Sequence, residues 1–408
     1  MDKPKLRPLQ AVAVRHEGEL MVQLFDPAQL SDHVAIVPEQ MVVLLALLDG
    51  TRTLADIQGA LSRHFGERIP SQQIESVVQQ LDEALFLDSD RFADHVRELT
   101  EAFRAAPLRE ATSAGSGYPA EPAALKTHLD ELFTADDGPG RPEAGSADGE
   151  LVGLVAPHID FARGGPSYAR AYKALGDGCD ADLFVVLGTA HHGRDALYIL
   201  TDKDFATPLG TVKTDAGLVH ALAEHWDGDP FAEELVHRHE HSVELQLVFL
   251  QHLVGDRDIA VVPVLCGAMA QAVGAEGRPS EVAAVADFTA ALREIIAGSG
   301  RKACVIASAD LAHVGRHFGD DYALTPQVMG DVERADLKAL DHVLSLDADA
   351  FYETVMLDGN ARHLCGVPAI CTLLAAVEAS RCELLDYRQA VDYEIDRAVT
   401  FASLALYA

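Results

Sequence analysis

Two histidines follow apolar segments that have the character of buried strands. His158 comes directly after residues 151–157, and His191 comes shortly after residues 183–188. In an open α/β sheet, ligands bind in the crevice outside the carboxyl ends of the strands. Imidazole is the commonest metal ligand among protein side chains. The two positions therefore predict a metal site at one edge of a sheet.

Three further clusters of metal-competent or acid–base residues lie at the ends of predicted elements. They contain His241 and Glu244, then Ser308, Asp310 and His313, and finally Cys365. Each has an ordinary structural explanation: Asp310, for example, could cap a helix that starts at Leu311, and a free Cys packs like a small apolar side chain. Their shared position at the ends of apolar elements favours function, because a sheet gathers such residues at one edge.

The composition indicates an acidic protein of two domains. The chain has 408 residues, a length that exceeds a domain with one ordinary core. Hydrophobic residues make up 49% of it. Its 64 acidic and 32 basic residues give a net charge of −32. This charge argues against nucleic-acid or anionic-membrane partners, because phosphate binding needs clustered Lys and Arg.

The cellular setting is predicted from the N-terminus and the cysteines. Met1 to Lys5 are not followed by the apolar core of a signal peptide. The longest early apolar run, residues 41–48, is too short to cross a bilayer. Six cysteines form no paired framework, which is typical of reduced thiols in the cytoplasm. We therefore expect a cytoplasmic protein.

Residues 1–95 form a predicted module of three short helices and short strands. Residues 38–48 predict the first helix, Thr53 with Asp56 caps the second, and Ser71 starts the third. A short strand is predicted over residues 85–88. This order is typical of a winged-helix-like unit. Residues 96–150 then read as a helical connector followed by an exposed lead-in loop.

Residues 151–408 are predicted to form an α/β domain. Strand-like runs at 151–156, 183–188, 259–265, 303–307 and 397–406 alternate with helical segments at 167–175, 215–225, 242–254, 281–297 and 334–344. Such alternation predicts a central mixed or parallel sheet with helices on both faces. Continuous β-branched runs are typical of strands that are buried on both sides.

The first module resembles the PqqD-like peptide-recognition domains in its helix order and in residues 48–54. That resemblance implies docking of a peptide or protein, and a purely structural appendage is the alternative. DNA binding is disfavoured because the segment has no basic face to meet phosphates.

The larger domain resembles the Memo family, whose prokaryotic members are also called AmmeMemoRadiSam system protein B. Six ordered blocks carry the resemblance: residues 114–120, 156–158, 187–192, 240–244, 308–313 and 365–370. It implies a fold like that of class III extradiol dioxygenases, which are non-haem iron enzymes. It also implies a radical S-adenosylmethionine enzyme as a partner.

The Memo resemblance implies a set of site residues. His158, His191 and Cys365 match the family's metal ligands. His241, Asp310 and His313 become acid–base candidates, and His192, Glu244, Asp160 and Ser308 become candidates for the surrounding pocket wall. The chain departs from the family pattern at 159–161 and at Gly117, where the family has Trp. The resemblance therefore supports the family's metal site in this chain more strongly than it supports the family's substrate.

Three functions remain open from the sequence. Two imidazoles and a thiolate with open positions suit Fe(II), Cu or Zn, and the fold likeness favours Fe(II). The first hypothesis is a non-haem iron oxidoreductase, dioxygenase-like, acting on a small or peptide-derived substrate. The second is a non-catalytic metal-binding adaptor or peptide-binding protein, and the third is a zinc-dependent hydrolase.

Overall fold

The computed structural model describes residues 2–16, 18–225 and 229–408. Its internal contacts divide the chain into two units, Met1–Ala105 and Ala106–Ala408. In the part of the chain that is described, every helix is too short or too polar to cross a bilayer.

The first unit combines a three-stranded antiparallel sheet with four helices. Its strands, in sheet order, are β1 (Gln10–His16), β2 (Glu19–Phe25) and β3 (Val34–Pro38). Its helices are α1 (Met41–Leu47), α2 (Leu54–Phe65), α3 (Ser71–Glu83) and α4 (Asp90–Ala105). The first three helices confirm the predicted ones.

Local capping explains where α2 begins. The Thr53 hydroxyl accepts a hydrogen bond from the Asp56 amide, and the Asp56 carboxylate accepts one from the Thr53 amide. This reciprocal pair satisfies two amides that the helix itself leaves unpaired, and it confirms the predicted cap.

Other features of the first unit differ from expectation. The three strands before α1 were not individually predicted, and the predicted strand at 85–88 is only an isolated bridge between Leu6 and Leu87. Helix α4 runs through residue 95, where a module boundary was expected. The winged-helix interpretation of this unit stays a prediction.

The second unit contains eleven strands among its described residues. They are β4 (Leu108–Arg109), β5 (Leu151–Ala156), β6 (Leu183–Thr189), β7 (Tyr198–Leu200), β8 (Asp204–Thr207), β9 (Gly210–Val212), β10 (Ala260–Cys266), β11 (Ala303–Ser308), β12 (Asp310–Val314), β13 (Arg381–Asp392) and β14 (Arg397–Tyr407). The short strands β4, β8 and β9 form a small separate sheet.

Helices cover the strands of this unit. They are α5 (Pro122–Thr134), α6 (Phe161–Gly178), α7 (Ala216–Glu224), α8 (His241–Val254), α9 (Met269–Val273), α10 (Ala283–Gly298), α11 (Pro326–Leu344), α12 (Ala348–Met356) and α13 (Val367–Ala376). Short 3₁₀ turns occur at Glu234–Arg238, Pro279–Glu281 and Arg316–Phe318.

The central sheet has eight strands and is mixed. Its order is β12-β14-β5-β11-β6-β10-β7, and β13 pairs along the length of β14. The four strands β5, β11, β6 and β10 run parallel, whereas β14 and β7 are antiparallel to their neighbours. This arrangement confirms the predicted α/β class with a mixed sheet between helices.

Both faces of the sheet are buried. Along β6, Leu183, Val185 and Leu187 belong to one apolar cluster, whereas Phe184 and Val186 belong to the other. Successive side chains of a strand point to opposite faces, so a continuous apolar run requires cover on both sides. Helices α6 and α8 supply one layer and α13 lies in the other.

Two features near the C-terminal half were not expected. Asp310 does not cap a helix, because residues 310–314 form strand β12, which pairs with β14. Residues 381–392 form the long strand β13, which had no predicted counterpart.

Candidate metal centre

The parallel strands end at one edge of the sheet and place the candidate residues there. Ser308, the last residue of β11, is in register with Ala156 at the end of β5. Thr189, the last residue of β6, is in register with Cys266 at the end of β10. His158 and His191 each follow two residues after their strands, so a rigid sheet holds both imidazoles at the same edge.

Three imidazoles converge at this edge. One ligand nitrogen from each of His158, His191 and His241 lies within 4.8 Å of the other two. The rings of His191 and His241 are stacked, with centroids 5.0 Å apart, and the ring of His158 stands edge-on to both. Such a cluster of imidazoles, with His158 buried and the other two partly exposed, could hold a metal ion.

The thiol of Cys365 lies beside the imidazoles. Its Sγ is 3.2 Å from Nε2 of His158, although 207 residues separate the two in sequence. The following Gly366 amide donates to the Asp310 carbonyl. A Cβ at Gly366 would meet that carbonyl oxygen at 2.6 Å and the Ala309 side chain at 2.5 Å. Only glycine therefore lets the Cys365 loop approach β12 this closely.

Backbone groups and Asp310 fix the orientation of His158. Its Nδ1 donates to the Ser308 carbonyl at 3.0 Å, which leaves Nε2 directed at the thiol. Its amide donates to the Asp310 carboxylate at 2.9 Å. A hydrogen bond at one ring nitrogen selects the tautomer in which the other nitrogen is free to bind a metal.

Glu240 performs the same task for His191. Its carboxylate accepts from Nδ1 of His191 at 3.0 Å and from the Ser242 amide at the start of α8 at 2.8 Å. His241 Nδ1 lies 3.4 Å from the same carboxylate. One buried carboxylate thus contacts two of the three imidazoles, and an amide of the helix N-terminus holds it in place.

The charges at this edge support one another. Burial opposes ionisation of the Cys365 thiol, but the nearby rings of His158 and His313 lower its pKa to about 5. Burial also opposes protonation of His158, but Asp310 and Cys365 raise its pKa to about 9. The protein therefore favours the thiolate, which is the form of cysteine that binds metals.

His241 differs from the other two imidazoles. Its side chain is 42% exposed, whereas that of His158 is 2% exposed. Partial burial lowers the pKa of His241 to about 4, and the carboxylate of Glu240 opposes this shift. The ring is therefore neutral at neutral pH, and a pKa this low makes it a weak base there.

The remaining predicted residues occupy several environments. His313 Nδ1 donates to the Leu311 carbonyl, and its ring packs edge-on against Phe318. Asp160 caps α6 and pairs with Arg163. His192 is exposed in the turn after His191. The Ser308 hydroxyl is buried between Ser242 and Gln246, and its carbonyl orients His158.

Glu244 belongs to a buried network that anchors residues 109–118. Its carboxylate pairs with Arg109 and accepts hydrogen bonds from Tyr118 and from the amides of Thr112 and Ser113. Both charged side chains are fully buried. Its hydrogen bonds place it as an anchor of residues 109–118.

The same arginine also holds residues 237–240, which lead into His241. Arg109 Nη2 donates to the Glu240 carbonyl at 2.6 Å, and its Nε donates to the His237 carbonyl at 3.0 Å. Sequence reasoning missed both Arg109 and Glu240 as contributors. The available signal was an acidic residue next to His241 at a helix start, where a carboxylate can cap the helix.

Comparison with known proteins agrees with the order of the sequence blocks. A family model described as Memo-like protein matches residues 109–405. The chain belongs to the Memo family. A MEMO1 family protein from Aquifex aeolicus is 26% identical over 385 residues, which cover 94% of this chain and 95% of the relative. One from Methanopyrus kandleri is 31% identical over 296 residues, which cover 71% of this chain and 94% of the relative.

The match to the Aquifex relative covers 94% of this Memo-family chain, which is more than the second unit alone. The similarity therefore extends into the first unit. Among solved structures, an uncharacterized protein from Escherichia coli K12 covers 63% of this chain and 99% of its own, with 13% identity and a TM-score of 0.37.

Replacement of Glu240 by Gln is expected to weaken metal binding by about 10–100-fold, which is typical for loss of an outer-shell partner. The amide keeps the size of the carboxylate but removes the charge that orients His191. Affinity is measured by competition with a coloured chelator. Glu224→Gln, on the exposed end of α7, is the control and should bind as the unaltered protein does. Equal affinities for the two variants would contradict this role.

Proposed function

We propose that this Memo-family chain is a metal-dependent oxidoreductase that holds Fe(II) between His158, His191 and Cys365. The observation that carries the proposal is the meeting of Cys365 Sγ with His158 Nε2 at 3.2 Å, beside the ring of His191. In both imidazoles Nδ1 is already hydrogen-bonded, which leaves one nitrogen on each ring for a metal.

The donor set fits a catalytic metal better than a structural one. Structural zinc sites are closed by four protein ligands, whereas catalytic sites keep an open position. Two nitrogens and one sulfur suit Fe(II), Cu and Zn, and the likeness of the family to extradiol dioxygenases favours Fe(II). When bound, iron would supply redox chemistry with O₂, whereas zinc would supply water activation.

The chain's own side chains would handle the protons. His241 is partly exposed and stacked on His191, so it is placed to exchange a proton with a substrate at this edge, and its low pKa favours giving that proton up. Asp310 accepts a hydrogen bond from the His158 amide, and its carboxylate lies 3.8 Å from Nε2 of that ring. It would keep that ring oriented and balance positive charge at the site.

A peptide-binding adaptor is the second candidate, and a groove in the first unit favours it. The groove has a volume of about 470 Å³ and is lined mainly by apolar side chains, including Leu44, Phe65 and Ile74. Strand β3 forms an edge of its sheet and exposes Val34 and Ile36. An apolar groove and a free strand edge are features that extended peptides use. Such a peptide could equally be the substrate of the oxidoreductase.

Metal analysis and oxygen uptake together test the proposed function. Protein purified without oxygen is expected to contain iron and, with a catechol probe, to consume O₂ faster than the Cys365→Ser variant. Metal-free protein should regain this activity with Fe(II) and not with Zn(II). If Zn(II) and not Fe(II) instead restores hydrolysis of an ester or peptide probe, the result would support the hydrolase. Metal binding without any turnover of a peptide or catechol would favour the adaptor.

A further inference from the structure

A cavity of about 280 Å³ opens beside His191 and Cys365. Its wall comes from the end of β6, the turn between β10 and α9, the last turn of α12, and the start of α13. The cavity therefore lies next to two of the proposed metal ligands, and all of its lining residues belong to the second unit.

The cavity wall is mainly apolar. Its side chains include Met269, Tyr352, Met356, Leu364 and Val367. Apart from His191 and Cys365, the described residues that line it include no Asp, Glu, Lys, Arg or His. This absence is notable in a chain with 64 acidic residues, because a cavity at a surface edge usually acquires some charge.

The polar groups of the wall are mostly committed elsewhere. The Tyr352 hydroxyl donates to the Gly274 carbonyl at 3.0 Å, so its ring faces the remaining contacts as an apolar surface. The Asn360 amide is paired with both backbone groups of Leu364, at 2.8 and 3.2 Å. Burial raises the pKa of the Cys266 thiol to about 12, which keeps it neutral.

This chemistry selects the kind of group that can enter. A carboxylate or phosphate in the cavity would lose its hydration, which is costly. Among the described residues that line the cavity, the one basic ring is that of His191, which is already paired with the Glu240 carboxylate at 3.0 Å. A ring or branched alkyl group would instead bury apolar area against the walls. The two methionines favour such a group, because their flexible thioethers adapt to different shapes and contact aromatic rings well.

We infer that this cavity is the specificity subsite of the metal centre, and that it takes an uncharged apolar group of the substrate, such as an aromatic or branched aliphatic side chain. That the bound group belongs to a substrate rests on the proposed function. The binding preference itself rests on the cavity wall alone. A phosphorylated or carboxylate-bearing group is expected to bind this cavity more weakly than a neutral one.

The test uses two probes of equal shape and different charge. These are 4-fluorobenzamide, which is neutral, and 4-fluorobenzoate, which is an anion at pH 7. Binding to the metal-free full chain is measured by ¹⁹F NMR. The neutral probe is expected to bind at least about tenfold more tightly than the anion, since burial of an unpaired charge is penalised. Equal binding of the two probes, or no binding of the amide, would overturn the inference.

Variants locate the bound probe. Met356→Trp fills the cavity and should abolish binding of the amide, whereas Leu357→Trp, at a neighbouring side chain that is 78% exposed, should not. Gln271→Arg adds a cation to the cavity wall and should raise binding of the benzoate at least about tenfold. Ala272→Arg, an exposed neighbour outside the lining, is its control. Unchanged binding in Met356→Trp and Gln271→Arg would place the probe elsewhere.

A last measurement separates this inference from the proposed function. With Mn(II) added, fast relaxation of the bound ¹⁹F signal would place the probe next to a metal and support the subsite. If Mn(II) is shown to bind and the signal is unaffected, the cavity is not a subsite of the metal centre. If no metal binds but the amide still prefers the cavity, the proposed function fails and the binding preference stands.

Discussion

Replacement of His158 or His191 by Ala, or of Cys365 by Ser, is expected to lower metal affinity by more than 100-fold. Loss of a partner behind a ligand already costs about 10–100-fold, and loss of the ligand itself removes a coordinate bond. In Cys365→Ser the thiolate is lost as well, because a serine hydroxyl is not ionised at neutral pH. Metal content is measured on protein purified without oxygen, together with the affinity for added Fe(II).

Cys179→Ser is the matched control for the thiol. Cys179 follows α6, outside the sheet edge that carries the three imidazoles, so its variant should keep the full metal content. If the Cys365→Ser protein retained as much metal as the Cys179→Ser protein, the thiolate would have no part in the site. His241→Ala then becomes informative, because a site of three imidazoles alone would lose its metal in that variant.

Replacement of Glu244 by Ala is expected to lower the free energy of unfolding by about 3–5 kcal/mol, because it leaves Arg109 charged and buried without its partner. It also removes the acceptor for the Thr112 and Ser113 amides. Chemical denaturation followed by circular dichroism measures the change. Glu224→Ala, at an exposed position, should change stability by less than about 0.5 kcal/mol.

A double variant separates the ion pair from packing. Arg109→Met with Glu244→Met removes both charges and keeps apolar volume, so it should be more stable than Glu244→Ala alone. The double variant should nevertheless bind metal less tightly, since Arg109 also donates to the Glu240 carbonyl behind His191. A Glu244→Ala protein as stable as the Glu224→Ala control would show that solvent reaches and compensates Arg109.

The fold of the larger unit could be predicted well because its strands are buried on both faces. Such strands have continuous apolar runs, as in β6 and β10, and these runs stand out from the helical segments between them. The strand β13 was harder to predict, because its residues are only partly buried and include several charged side chains. In the first unit, β1 to β3 have mostly exposed or partly buried residues and a similarly weak signal.

The sequence predicted the imidazoles and the thiol of the candidate site, but not the side chains that hold them in place. His158 and His191 follow buried strands, where position favours a role as metal ligands, and the Memo resemblance added Cys365 to the set. Arg109 contacts Glu240 across 131 residues of sequence, and Glu240 contacts His191 across 49, so neither pairing follows a local sequence pattern. Glu244 was predicted for the pocket wall from its position in a block of the Memo resemblance, and the contacts that the structure shows for it are with Arg109 and Ser113.

The distance along the chain between His158 and Cys365 has a consequence for assembly in the cell. The 207 residues between them take about 10–40 s to synthesise at ordinary ribosomal speeds. Through that interval the nascent protein presents its early imidazoles without the sulfur that completes the set. The proposed set of two imidazoles and a thiolate could therefore be completed only after residue 365 is synthesised, and a chain that stops before it would lack the sulfur ligand.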